Sequence, residues 1–151
     1  MDRNRDTFVR KWSSQLSCHY TAHVPWASRG PFLLATRQAV LRVLVLDHDT
    51  PCAARDSGSV RMLNFIRVLL GRRHHVTFAG VESDADDACA LQLQSLGAHV
   101  TSAGLLKFRS LSMKCDYDLV VASRRSVAKA WLPLLRAVCP EAPVVFLSLI
   151  H

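Results

Sequence analysis

From residue 40 onward, short continuous apolar runs alternate with amphipathic stretches. Val43-Leu44-Val45-Leu46 is uniformly apolar, the signature of a strand buried on both faces. A polar loop follows, and residues 58–72 repeat apolar positions at helical spacing. Val60, Leu63, Ile66 and Leu70 form the apolar face there, backed by Met62, Phe65 and Leu69. Residues 76–79 predict a second strand and residues 84–96 a second helix, with acids in its first turn and Gly97 as its stop. A short third strand is expected over 98–102 and a weak helix or loop over 105–113. Leu119-Val120-Val121-Ala122 predicts a fourth strand and residues 126–138 a helix, despite Pro133. Pro140 and Pro143 set it apart from a fifth strand, Val144-Val145-Phe146-Leu147.

Strands alternating with helices at this spacing imply βαβ crossovers and an α/β fold: a doubly wound, mostly parallel, Rossmann-like sheet covered on both faces. The N-terminal region reads differently. Phe8, Val9, Trp12 and Leu16 recur at helical spacing over residues 6–16, and Ser57 or Ser59 is the expected cap of the later 58–72 helix. Residues 17–31 have no period and contain Pro25, Gly30 and Pro31, so they read as a linker; 31–38 is ambiguous. The expected division is a detached helix and linker over 1–39 and the α/β domain over 40–151. The pattern stops at His151 directly after the fifth strand, so an incomplete domain is expected, with that strand an exposed apolar edge open to a partner chain.

The 151 residues suit one domain with a real core. No apolar run approaches the ~20 residues that span a bilayer, and no secretory leader pattern opens the chain. The net charge of +7 is concentrated: residues 1–42 hold seven basic groups and two acids, hence +5 of it. Such an arm can meet phosphates of nucleic acid or lipid, or can simply be solvated. No zinc-finger spacing or aromatic-basic interleaving points to specific nucleic-acid recognition. Cys18, Cys52, Cys89, Cys115 and Cys139 are odd in number, scattered and without C-x-x-C. Reduced structural thiols in a cytoplasmic protein are therefore expected. His74-His75 adjoins a strand, where neighbouring side chains point to opposite faces, so a shared metal is not expected there; no metal site and no cofactor is assigned.

Candidate chemistry gathers where strands end, the place where open α/β sheets bind ligands. The first strand ends in Asp47-His48-Asp49, which also suits a solvated turn. Asp56-Ser57-Gly58-Ser59 opens the following helix between Arg55 and Arg61. Free N–H groups there can hold an anion, and equally the segment can be an ordinary helix cap. Ser123-Arg124-Arg125 follows the fourth strand and can face the same crevice or be surface charge. Gly-Lys-Ser/Thr and Gly-x-Gly-x-x-Gly are both absent, which excludes a P-loop and a dinucleotide fingerprint. No nucleophile elbow, convincing carboxylate pair or metal-binding helix appears, so no catalytic residue is assigned.

Taken together, Asp47-His48, Pro51, Arg55 to Ser59, Asp118 to Arg124 and Pro140 to Ala142 resemble the N-terminal half of a glycosyltransferase of the two-domain GT-B architecture, family 4-like. The Arg-Asp-Ser-Gly-Ser element is the most specific part, and the resemblance covers residues 40–146. Phe8-Val9-Arg10-Lys11-Trp12 also resembles the tail of a sugar-transferase domain that precedes this module in fused proteins. The resemblance implies the acceptor-side wall of a cleft that moves a sugar from a nucleotide-sugar donor to a glycan or other acceptor. It implies substrate contacts from Asp47, His48, Arg55, Asp56, Ser57, Gly58, Ser59, Ser123 and Arg124. The chain departs from the family after the fifth strand, where Leu147-Ser148-Leu149-Ile150-His151 stands in place of an acidic segment. The family's donor-binding second domain does not follow, so inactivity of this chain alone is expected.

Two other classes remain open. One is a non-catalytic α/β binding or scaffold domain. The other is a response-regulator receiver, whose first strand also ends in acids. A receiver needs a phospho-accepting Asp on a later central strand and a Lys after the fifth. Here the fourth strand ends in Ala122-Ser123-Arg124, and the fifth ends without Lys.

Overall fold

The computed structural model describes residues 2–16, 36, 38–81, 88–102, 104 and 117–148. It divides into two compact units, Met1–Gln38 and Ala39–His151. In the first, helix α1 (Asp2–Lys11) runs into the single turn α2 (Ser13–Leu16), with the Trp12 amide donating to the Phe8 carbonyl. Phe8 and Trp12 approach each other and Lys11 lies over the Trp12 ring. The expected linker over 17–31, most of 31–38 and the weak element over 105–113 lie outside the described residues.

In the second unit, β1 (Arg42–Asp47), α3 (Ser57–Gly71), β2 (His75–Gly80), α4 (Ala88–Ser95), β3 (His99–Ser102), β4 (Leu119–Ser123), α5 (Arg125–Val138) and β5 (Val144–Leu147) follow in order. All strand pairs are parallel, and the sheet order is β3-β2-β1-β4-β5. This is the α/β Rossmann-like arrangement read from the alternation of elements. A receiver places its third strand beside the first. Here β4 occupies that position, with Val43 to Leu46 of β1 opposite Leu119 to Ala122, and the receiver reading falls.

Strand alternation divides the core between two faces. Val43 and Val45 pack with Val76, Phe78, Val100 and Val121 under α3 and α4, against Met62, Leu63, Ile66 and Leu93. Leu44 and Leu46 point the other way, with Val120, onto Val127, Trp131 and Leu135 of α5. Helices thus cover both faces, which explains why β1 is apolar at every position from Val43 to Leu46. The buried stripe of α3 is shifted from the one expected. Met62, Leu63 and Ile66 are buried, Phe65, Leu69 and Leu70 pack at their margin, and Val60 is 40% exposed. The small residues Gly58 and Ser59 take the buried positions of the first turn, so Val60 turns outward. On β5, Val145 is 47% and Phe146 50% exposed, the open apolar strand that the pattern leads one to expect.

The thiol expectation is corrected at two positions. Cys52, in the β1–α3 loop, and Cys89, in the first turn of α4, form a disulfide, with Cα atoms 5.3 Å apart. Spacing carries no sign of this pair. The fold makes it by bringing two crossover connections together at one end of the sheet. Cys139 is a buried free thiol, and Cys18 and Cys115 lie outside the described residues. Among the described residues, no helix is long and apolar enough to cross a membrane.

Candidate functional site

The chain leaves β1 toward β2 and β3 on one side, then returns to β4 and β5 on the other. The reversal falls between β1 and β4. At such a switch point the loops after adjacent strands diverge and leave a crevice at the C-terminal edge of the sheet. Asp47 ends β1 and Ser123 ends β4, one position beyond the Leu46–Ala122 pair. Both continue the face that carries Val45 and Val121, the face under α3.

Asp47 is 4% exposed. Its Oδ1 accepts from the His48 amide at 2.7 Å and from Arg124 Nε at 3.0 Å. Arg124 reaches this carboxylate from an unusual backbone state, φ 69° and ψ 137°, in which a Cβ is crowded. The Ser123 hydroxyl is fully buried without a hydrogen-bond partner. Above the strand ends, Asp49 Oδ2 lies 3.4 Å from His48 Nδ1 and 3.3 Å from Arg55 Nη1. A turn carries Arg55, its amide donating to the Cys52 carbonyl at 3.0 Å.

The first turn of α3 is occupied from within. Asp56 is the N-cap, in extended conformation at φ −163° and ψ 167°, and its Oδ1 accepts from the Ser59 amide at 2.7 Å. The Ser59 hydroxyl donates to Oδ2 at 3.1 Å. Asp56 therefore caps the helix, and Ser59 serves as a donor to it, correcting the expectation that Ser57 or Ser59 would cap. A carboxylate accepts from a backbone amide more strongly than a hydroxyl does, and it suits the positive helix end. The Ser59 amide holds the Asp56 carboxyl below its ordinary 3.8; the Ser59 hydroxyl, the Gly58 amide and the charge of Arg124 add in the same direction. Of the two local readings of this segment, the geometry is that of a helix cap. Its amides already serve a resident anion.

The residues singled out in sequence thus meet at one edge in three small groups: Asp47 with Ser123 and Arg124, His48 with Asp49 and Arg55, and Asp56 with Gly58 and Ser59. Ser57 is exposed in the first turn of α3. Asp49 was the residue to add. Its signal was an acid six positions before Arg55 within one loop, where a short connection brings them together. Among the described residues, no three His, Cys, Asp or Glu side chains converge to hold a metal ion.

A second Asp–Arg pair joins the same two strands at their opposite ends. Arg42, opening β1, gives Nε and Nη2 to the two oxygens of Asp118, just before β4, at 2.9 and 2.7 Å. The Arg42 amide adds a bond of 2.7 Å to Asp118 Oδ2. That pair is closed on itself, both carboxylate oxygens being engaged. The pair at the switch point is joined by one oxygen and one nitrogen, which leaves Asp47 Oδ2 and the two Arg124 Nη nitrogens without a partner among the described residues. Scans against protein-family models and curated proteins give no match.

Proposed function

We propose that this chain is the acceptor-side domain of a glycosyltransferase of the two-domain GT-B type, its switch-point crevice forming one wall of an interdomain cleft. The observation that carries the reading is the meeting of Asp47, His48, Arg55, the first turn of α3 and Ser123-Arg124 at one edge of the sheet. These are the positions on which the sequence resemblance rests. The crevice offers carboxylate acceptors beside guanidinium donors, a mixture that suits hydroxyl-rich ligands. In this reading an opposing α/β domain supplies most contacts to the donor nucleotide, so these 151 residues bind a glycan or the sugar of a nucleotide sugar without transferring it.

The test is calorimetry of the purified chain with a panel of nucleotide sugars and oligosaccharides, repeated with Arg55→Ala and Ser57→Ala. Weak binding that the substitutions reduce is expected, with no transfer of labelled sugar. Absence of binding across the panel refutes the reading. A non-catalytic sugar-binding domain is the second reading, favoured by the internally paired Asp49, Arg55 and Asp56. It holds if glycans bind and no nucleotide sugar does.

A further inference from the structure

At the end of the β1–β4 pair, Asp47, Ser123 and Arg124 each keep a polar group without a partner among the described residues. Asp47 Oδ1 takes two donors, and Oδ2 takes none. Arg124 uses Nε on Asp47, and its two Nη nitrogens are unengaged on a side chain 43% exposed. The Ser123 hydroxyl, buried between them in sequence and at the end of the neighbouring strand, is unpartnered as well. A buried polar group left unmade is costly, and so is an Arg held at positive φ. The closed Arg42–Asp118 pair at the other end of the same strands shows that an Asp–Arg contact need not leave such capacity open.

The charge of the crevice decides between ligand classes. Among the groups that meet there, Asp47, Asp49 and Asp56 stand beside Arg55 and Arg124, three carboxylates to two guanidiniums. The Ser59 amide at the α3 terminus is spent on Asp56, and the Gly58 amide faces the same carboxylate. A phosphate entering here would meet the buried Asp47 carboxylate 3.0 Å from the Arg124 guanidinium. A neutral hydroxyl faces no such conflict. It donates to a carboxylate oxygen and accepts from a guanidinium at the same time.

We propose that the β1–β4 crevice reads hydroxyl groups of a neutral sugar. Asp47 Oδ2 accepts from one hydroxyl, and the Arg124 Nη groups donate to it and to its neighbour. Asp47 has a double part, holding Arg124 in place through Oδ1 and receiving the ligand through Oδ2. The inference rests on the carbohydrate reading above and narrows it, because phosphates are assigned no place in this crevice.

Nitrogen-resolved NMR titration of the full chain tests it, with methyl glucoside, methyl mannoside and methyl galactoside in one arm and inorganic phosphate and pyrophosphate in the other. At least one glycoside is expected to shift the amides of Asp47, His48, Ser123 and Arg124, while neither anion does at equal concentration. Asp47→Asn, nearly isosteric, and Arg124→Ala are each expected to weaken the glycoside about tenfold, as loss of a charged hydrogen-bond partner does. Arg124→Ala keeps the test open if Asp47→Asn fails to fold, and amide dispersion reports folding in both. Shifts with pyrophosphate and not with glycosides overturn the inference, while leaving the nucleotide-sugar reading alive. Silence in both arms overturns it too. Glycoside binding here with no nucleotide-sugar binding supports the inference and favours the non-catalytic sugar-binding reading over the glycosyltransferase one.

Discussion

Arg124 holds a conformation that glycine accepts more readily than any other residue, and it does so beside a nearly buried carboxylate. Its strain and its ion pair can be separated by two substitutions. Arg124→Ala and Arg124→Gly both remove the guanidinium, and only alanine keeps the positive-φ cost. The glycine variant is therefore expected to be more stable than the alanine variant by about 1 kcal/mol in urea unfolding. Equal stabilities would mean that the backbone relaxes and that Arg124 is not strained. At this scale the sequence was informative about residue type and silent about partnership. Asp47, Ser123 and Arg124 were legible because polar residues ending apolar strands must lie at the sheet edge. That Oδ1 of Asp47 would serve Arg124 follows only from β1 and β4 being neighbours. The same holds for Cys52 and Cys89, whose pairing depends on two connections meeting in space.

Helix α3 depends on a cap at one end and a buried stripe along its length. Asp56→Ala removes the acceptor of the Ser59 amide and hydroxyl. A loss of about 1 kcal/mol is expected, with Asp56→Asn retaining most of it. Ile66 is fully buried between α3 and the sheet, so Ile66→Ala is expected to cost roughly 2–5 kcal/mol as transfer and cavity terms add. Denaturant midpoints of the two variants should therefore differ clearly; an Asp56→Ala loss as large as that of Ile66→Ala would contradict the cap assignment. The existence and order of the elements were readable because strand and helix periods differ and the inner strands of this sheet are covered on both faces. The orientation of α3 was less so. Hydrophobicity favoured Val60 as a core position, whereas close approach of the first turn to the sheet favoured Gly58 and Ser59. Apolar character alone does not report that steric choice.

Across the whole second unit, the sheet is fastened at both ends of its central strands by Asp–Arg pairs and near its C-terminal edge by a disulfide. Cys52 and Cys89 are 37 residues apart, so their bond removes freedom from a long unfolded loop. Reduction, or Cys52→Ser with Cys89→Ser, is expected to lower stability by about 2–4 kcal/mol. Thermal unfolding with and without a dithiol reads this directly, and an unchanged midpoint would show that the bond is dispensable. Acid acts on two other groups, in separate windows. His75 is held below its ordinary 6.5, first by burial and then by the charges of His99 and Arg42. The unfolded chain then binds a proton at this position more readily than the folded one. Stability should fall as pH drops from about 6.5 toward the lowered folded value, and level off below it. Asp118 is held below 3.8, chiefly by the hydrogen bonds from the Arg42 side chain. Its contribution is present above 3.8 and is lost as pH falls through its lowered folded value. Urea midpoints taken from pH 7 to pH 2 should show both declines. His75→Gln should flatten the upper one alone. Asp118→Asn should lower stability at pH 7 and flatten the lower one, because the pair that bolts β1 to β4 no longer has a charge to lose. An upper decline unchanged by His75→Gln would assign that titration to another group. It would leave the Arg42–Asp118 clamp as the pH-sensitive fastening between these two strands.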